Sequence, residues 1–358
     1  MTKLKEHKPS KMEALKAMTP ADRRRAIFDG IMNNAMFIII ALVIIYVAIK
    51  NPRFLSIPSL VNIISLTAAK LPIALGVGGC IILAGTDISA GRQVGLAACI
   101  SAGLQLTTNK LFPGLQILPI PVVLLCVLVA CAMVGLVNGF FMAKFKLHPF
   151  IVTLSTQLIV YGLVLLFMQL GTNGGQTLSG MSEGYRNFII KPLFTLKTSS
   201  GPVTVPRYVL YSAIITAIVW AIWNKTAFGK NMYAVGSNEE AANVSGVNVS
   251  KTIILVFVMA GMLYGITGFM DAARIASVNA TTGLNYEADA IAACVIGGIS
   301  FVGGIGKVSG AIIGVLLLQI IFAGLNFLSV DANYLYIVKG LIILIACSID
   351  MRKYLVRK

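Results

Sequence analysis

The sequence has 358 residues, of which 57% are hydrophobic and only 12% are charged, whereas about 25% of the residues in soluble globular proteins are charged. This composition excludes a soluble globular protein and indicates an integral membrane protein in contact with lipid. A formal net charge of +16 would suggest nucleic-acid binding in a soluble chain. Here the basic residues lie beside apolar runs, where the preference of Lys and Arg for the cytoplasmic side explains them without a nucleic-acid partner.

The chain begins with a basic leader at residues 1–30, which carries eight Lys and Arg against four Asp and Glu. It lacks the cleavage pattern that follows the apolar core of a signal peptide. We expect this leader to stay in the cytoplasm. A membrane domain at residues 31–350 and a short basic cytoplasmic tail at residues 351–358 are expected to follow it.

About ten apolar runs follow the leader, most of them long enough to cross a bilayer. Starting from a cytoplasmic N-terminus, ten crossings return the C-terminus to the cytoplasm. The predicted fold class is therefore all-α, a polytopic membrane protein with about ten transmembrane helices and both termini cytoplasmic. The runs lie at residues 31–49, 59–84, 88–107, 120–143, 150–170, 207–224, 251–275, 288–302, 308–328 and 334–350.

A charged motif, "GTDISAGRQVG", begins at Gly85 and separates the second run from the third. An ionised carboxylate is costly in a bilayer, so Asp87 must face protein, water or the membrane edge. Glycines at positions 85 and 91 permit a break in the helix, and Asp87 and Ser89 can cap the helix that follows. Asp87 lining a permeation path is the alternative, and the two roles are compatible.

A second Gly-rich segment, residues 296–314, aligns with residues 81–99 at a shift of 215. Both segments run in the same direction if the chain has ten spans. Paired Gly-interrupted apolar segments point to broken helices at a transport path. The candidate residues for the broken helices and the path are Gly85, Thr86, Asp87, Ser89, Gly91, Arg92, Asp289, Gly298, Gly303 and Gly304.

Several other charges lie inside apolar runs. Asp271, Arg274, Glu287 and Lys339 lie near predicted span ends, where long side chains reach the membrane surface. Lys70 and Asp289 lie deeper, and the sequence leaves open whether they pair.

Neither a metal site, a cofactor site nor a nucleotide site is expected. The six Cys contain no CxxC pair and only two His accompany them, so we interpret the cysteines as packing residues. The stretch "GGIGKVSG" at residues 303–310 is not a phosphate-binding loop, because that loop requires Gly where Phe301 stands and Ser or Thr where Val308 stands. Any energy from ATP must come through a partner.

Two polar loops are unusually long. The loop at residues 171–206 is expected outside, either as a solvated connector or as a contact for an external partner. The loop at residues 225–250 is expected inside, with a helix that starts at Ser237 and Asn238, carries acids in its first turn, and stops at Gly246. This helix either lies idle at the membrane surface or inserts into a soluble partner.

Three stretches carry a family resemblance: "GTDISAGRQVGLA" at residues 85–97, "FGKNMYAVGSNEEAANVSGVNV" at residues 228–249, and "YEADAIAACVIGGISFVGGIGKVSG" at residues 286–310. They resemble the sugar-importing ABC permeases of the ribose and galactose branch. The Arg-Gln pair at residues 92 and 93 favours the galactose and methyl-galactoside members, with ribose or another simple sugar as the alternative. The resemblance implies a non-hydrolysing permease that forms a homodimer in the plasma membrane, receives sugar from an external binding protein and is driven by a cytoplasmic ATP-binding subunit.

The resemblance also gives the loop at residues 228–249 the role of a coupling loop that docks into the ATPase. Its candidate coupling residues are Gly229, Ala234, Gly236, Asn238, Glu239, Ala241, Ala242 and Gly246. Ser237 and Glu240 stand where relatives commonly carry Gly and Pro. An ion-coupled secondary transporter and a passive channel are the competing functions, and neither needs such a loop.

Overall fold

The computed structural model describes residue 19 and residues 35–171, 173–198 and 201–355. These residues are mainly helical, as the sequence predicts. Most of the leader and the last three residues lie outside them, so the predicted places of both termini stay predictions. In order, the elements are α1 (Ala35–Lys50), α2 (Ile57–Ile82), α3 (Ala90–Gln105), α4 (Ile120–Phe145), α5 (Pro149–Met168), β1 (Leu178–Ser179), α6 (Glu183–Ile190), β2 (Pro192–Thr198), β3 (Gly201–Pro206), α7 (Arg207–Lys225), α8 (Ala227–Ser237), α9 (Glu239–Val244), α10 (Val249–Ile275), β4 (Ser277–Val278), α11 (Tyr286–Ile296), α12 (Val308–Phe327) and α13 (Ala332–Leu355).

Ten of these helices lie at the ten predicted apolar runs. Six of them, α2, α4, α5, α7, α10 and α12, are long and apolar enough to cross a membrane. By contrast, α3 has 16 residues and α11 has 11, so each is too short to span a hydrocarbon layer of about 30 Å by itself. The number of ten spans is therefore approximate.

Helix α10 is the central helix of the bundle and packs against α2, α3 and α4. The contact with α4 is close because small residues face each other: a Cβ on Gly261 would overlap the backbone carbonyl oxygen of Cys131. Membrane helices associate through such close backbone packing, since lipid is as apolar as the side chains it surrounds.

Two helix hairpins turn at the same end of the bundle. The chain turns back between α2 and α3 at residues 83–89, and again between α11 and α12 at residues 297–307. The Gly304 amide donates to the Ile82 carbonyl oxygen at 2.8 Å, so the two turns touch. We call this end of the molecule the turn end. The two Gly-rich segments thus run in the same direction, as expected for ten spans.

The long loop at residues 171–206 contains structure that the sequence did not indicate. Strands β2 and β3 form an antiparallel hairpin, and β1 pairs with β4 through Leu178 and Val278. Val203, Thr204 and Val205 favour an extended backbone in β3, and Val205 is buried. These two small sheets add to the predicted all-α architecture at the end opposite the turns.

Candidate functional site

Asp87 is fully buried in the α2–α3 turn. Its Oδ1 accepts hydrogen bonds from the Ser89 amide at 2.9 Å and from the Ser89 hydroxyl at 2.5 Å. Asp87 therefore closes a turn two residues ahead and bonds the residue before α3, whereas the sequence predicted a cap on the amides of α3 itself. The expected Ser89 cap is not formed, because the Ser89 hydroxyl bonds no backbone group of α3.

The Ser89 hydroxyl instead joins two helices. It accepts hydrogen bonds from Gln93 Nε2 and from Asn138 Nδ2, both at 3.0 Å. Asn138 is fully buried in α4, and sequence analysis did not single it out. A lone Asn in the apolar run at residues 120–143 was the available signal, because a buried amide requires a polar partner.

The α2–α3 turn at residues 83–89 includes Gly85, but its left-handed residue is Ala84, with φ 58°. Gly85 is buried beside Pro149 of α5. Thr86 belongs to the same contact, since its carbonyl oxygen accepts from Thr153 Oγ1 at 3.4 Å. The turn thus rests on the beginning of α5.

The α11–α12 turn contains three glycines with positive φ, namely Gly298, Gly303 and Gly304. A Cβ on Gly303 would overlap the Gly236 carbonyl oxygen, and one on Gly304 would overlap the Ser237 hydroxyl. This turn therefore packs directly against the end of α8.

Helix α8 was not expected from the sequence, which predicted only the helix that follows it. Its residue Gly236 lies so close to the α2–α3 turn that a Cβ would overlap the Ile82 carbonyl oxygen. Tyr233 on α8 donates to the Gly306 carbonyl oxygen at 3.0 Å. We define the turn junction as residues 82–84, 236–237 and 303–304, where α8 contacts both helix turns.

The predicted helix in the coupling loop is α9, and its predicted start and stop are confirmed. Asn238 Oδ1 accepts from the Ala241 amide at 2.8 Å, and Gly246 takes a positive φ of 84° just after the helix. Glu239 forms an ion pair with Lys146 at the end of α4. The short helix is therefore capped and tied to the bundle.

The candidate coupling residues fall into two groups. Gly229, Gly236 and Ala242 are buried against the bundle, whereas Ala234, Asn238, Glu239, Ala241 and Gly246 are exposed. Sequence analysis missed Val244, which is 89% exposed at the end of α9. No other exposed large hydrophobic side chain among the described residues is as exposed as Val244.

Two groups of ion pairs lie inside the described part of the bundle. Asp271 is fully buried and contacts Lys70 at 3.5 Å and Arg274 at 2.8 Å, so it does not reach toward the membrane surface as expected. Asp289 bonds Lys339 at 2.9 Å. Lys70 and Asp289, whose pairing the sequence left open, therefore do not pair with each other, because each has another partner. Asp289 instead links α11 to α13, away from the α11–α12 turn.

The remaining two candidates lie at the start of α3. A Cβ on Gly91 would overlap both the Gly283 carbonyl oxygen and the Glu287 carboxylate. Arg92 donates from Nη1 to the Ala280 carbonyl oxygen at 3.1 Å. Both residues therefore face the loop that precedes α11.

Fold and site together define a class: a multi-pass membrane protein in which a short connecting helix, α8, packs against two helix turns. The model of the family described as "Branched-chain amino acid transport system / permease component" matches residues 59–347. The chain belongs to this family, and it is a multi-pass permease component of the inner membrane.

The relatives also confirm the resemblance seen in the sequence. The galactose/methyl galactoside import permease protein MglC of Haemophilus influenzae is 42% identical over 92% of this chain and 97% of that relative. MglC of Escherichia coli is 38% identical over 94% of this chain and 98% of that relative. The ribose import permease protein RbsC of Escherichia coli is 32% identical over 94% and 98%, respectively. No solved structure matches the chain.

Proposed function

We propose that the chain is the permease subunit of an ATP-driven importer for galactose or a methyl galactoside. A homodimer of this chain provides the path, an external binding protein delivers the sugar, and a cytoplasmic ATP-binding subunit hydrolyses ATP. The support for galactose is the degree of similarity, since the galactose permeases are 38–42% identical and the ribose permeases are 32–33% identical.

One observation carries the proposal of an ATPase-driven mechanism, namely the turn junction. Helices α8 and α9 project polar, exposed residues away from the bundle, while Gly236 contacts the Ile82 carbonyl oxygen and the α11–α12 turn. A displacement of α8 by a docked partner must move both turns, because close-packed backbone has no free space to absorb it. An ion-coupled carrier has no use for such a connection.

The same assignment gives the orientation. A docking site for a cytoplasmic ATPase puts the turn end, with α8 and α9, in the cytoplasm. Basic residues lie on α8 and on the neighbouring helix ends at the turn end, as the preference of basic residues for the cytoplasmic side requires: Lys230 is on α8, and Lys144, Lys146, Lys225 and Lys251 are at the ends of α4, α7 and α10. Both termini are then cytoplasmic if the number of spans is even.

Val244 provides the test of docking. We expect Val244→Asp to abolish co-purification with the ATP-binding subunit, because it puts a charge into the contact while leaving the buried side of α9 intact. The control is Thr204→Asp, an exposed position in β3 at the opposite end, which should co-purify normally. Undiminished co-purification of Val244→Asp, Glu239→Arg and Ala241→Arg would contradict the assignment.

A further inference from the structure

The loop at residues 279–285 descends deep into the bundle. The loop follows β4, which pairs with β1. Strand β1 lies near the end of α3, because the Ser182 amide just after it donates to the Gln105 carbonyl oxygen at 2.8 Å. The loop then reaches Gly283, which lies against Gly91 at the beginning of α3. A rise of 1.5 Å per residue makes the distance from Gly91 to Gln105 about 20 Å. The loop therefore covers most of the length of α3.

This loop is irregular, polar and partly exposed. Asn279 and Thr281 are exposed, and Asn279 Oδ1 accepts from both the amide and the hydroxyl of Thr281, at 3.0 and 2.8 Å. Non-helical backbone at membrane depth is tolerated only where it is buried in protein or lines a water-filled cavity. In the single protomer these side chains are exposed, so at membrane depth they require water or another polar neighbour.

Arg92 and Tyr161 stand beside this loop. The Arg92 guanidinium lies 4.2 Å from the centre of the Tyr161 ring and is held by its hydrogen bond to the Ala280 carbonyl oxygen. A guanidinium has five N–H donors in a fixed plane. Among the described residues Arg92 makes this one hydrogen bond, and its charge also interacts with the buried Glu287 carboxylate. Its other N–H donors are left for a ligand.

Gln157 lies on the same face of α5. It is one turn before Tyr161 and one turn after Thr153, which contacts the Thr86 carbonyl oxygen, and residues four apart share a helix face. Its Oε1 is buried and has no hydrogen-bond partner among the described residues. Buried polar atoms without a partner are rare in native proteins.

We propose that Arg92, Gln157 and Tyr161 form a contact site for the monosaccharide as it passes through the permease. The guanidinium and the amide bind sugar hydroxyl groups, and the ring packs against the apolar C–H face of the sugar. This inference rests on the proposed function and names residues for it. With only three contacts the site is weak, as a path requires, because a strongly bound sugar would not leave.

The experiment measures galactose uptake and ATP hydrolysis in the same proteoliposomes, which contain the permease, the ATP-binding subunit and a galactose-binding protein. We expect Arg92→Gln to lower the galactose carried per ATP hydrolysed about tenfold, the loss that corresponds to one hydrogen bond to a charged group. Tyr161→Leu should lower the same ratio, because it removes the ring that packs against the sugar. Hydrolysis stimulated by the loaded binding protein should stay at the wild-type level. Tyr161→Phe, which keeps the ring, should retain transport.

The matched control is Ser155→Ala, an exposed position on another face of α5, which should leave both rates unchanged. Uptake and hydrolysis that fall together in Arg92→Gln and Tyr161→Leu would overturn the inference, because a structural role gives that result. An unchanged ratio in both variants would overturn it as well. A wild-type complex without ATP-dependent galactose uptake would instead contradict the proposed function, and the inference with it.

Discussion

The two helix turns are closed by the same backbone hydrogen bonds, although only one of them uses glycine at the critical position. In the first turn the Gly85 amide bonds the Cys80 carbonyl oxygen, and in the second the Ile299 amide bonds the Cys294 carbonyl oxygen. These are the six-residue bonds of the Schellman motif, in which one residue is left-handed. Ala84 and Gly298 occupy this position, with φ 58° and 82°, so the structural repeat has a shift of 214 instead of the 215 of the sequence alignment.

This difference predicts opposite effects for two reciprocal substitutions. Ala84→Gly should stabilise the protein by about 1 kcal/mol, because a left-handed backbone costs about that much in a residue with a Cβ. Gly298→Ala should destabilise it by a similar amount, since a Cβ there would meet nothing within 4 Å and only the backbone conformation is affected. Thermal unfolding of the purified protein in detergent measures both. Shifts of the same sign would contradict this account.

Asp87 allows a second test at this scale. Asp87→Ala leaves the buried Ser89 amide and hydroxyl without their acceptor, which costs about 1–3 kcal/mol, and we expect transport to be impaired. Asp87→Asn keeps an acceptor oxygen and should preserve much of the transport. Sugar uptake by the reconstituted complex is the measurement, with Glu183→Gln, an exposed acid in α6, as the control. Equal loss in both Asp87 variants would favour a charge-dependent role in the path.

How much of the site was predictable depends on how far apart its residues lie in the sequence. The Asp87 turn and the α9 cap were predictable because their partners lie within three residues. The bond between Ser89 and Asn138 joins residues 49 positions apart, and no local pattern reveals it. The proposed sugar contacts are hidden from the sequence for the same reason, because Arg92 belongs to α3 whereas Gln157 and Tyr161 belong to α5.

Among the elements, the apolar runs were predictable and the short connecting elements were not. Hydropathy identifies a helix that faces lipid, and the ten predicted runs all became helices. It does not identify α8, which is short and amphipathic and is positioned by backbone contacts at Gly236. It also does not identify the β2–β3 hairpin, because the loop at residues 171–206 as a whole has the composition of a polar connector.

The turn junction predicts a strict size limit at Gly236. We expect Gly236→Ala to uncouple ATP hydrolysis from uptake, because its Cβ would overlap the Ile82 carbonyl oxygen. Gly162→Ala in α5 is the control, since a Cβ there meets nothing within 4 Å. Coupled uptake by the Gly236→Ala variant would contradict the close contact.

At Gly91 and Gly304 we expect leucine to be worse than alanine. Alanine already overlaps neighbouring atoms at both positions, so both substitutions should be harmful.

The whole molecule, under the proposed function, is a permease that takes its energy and most of its selectivity from partners. The chain lacks the sequence of a nucleotide-binding loop at residues 303–310. The proposed docking helices, α8 and α9, are the expected contact for a partner that hydrolyses ATP, and the proposed sugar contacts are few. Such a permease should carry galactose or its methyl glycoside according to the binding protein that serves it, with ribose carried less well.

The most direct test of this claim is the uptake of labelled galactose, glucose and ribose by proteoliposomes that contain the complete complex, each measured with and without the binding protein and ATP. The account predicts galactose uptake that requires both ATP and the binding protein. Transport of ribose alone would assign the chain to the ribose branch. Galactose uptake that continues without ATP and without the binding protein would contradict the central claim and favour an ion-coupled carrier or a channel.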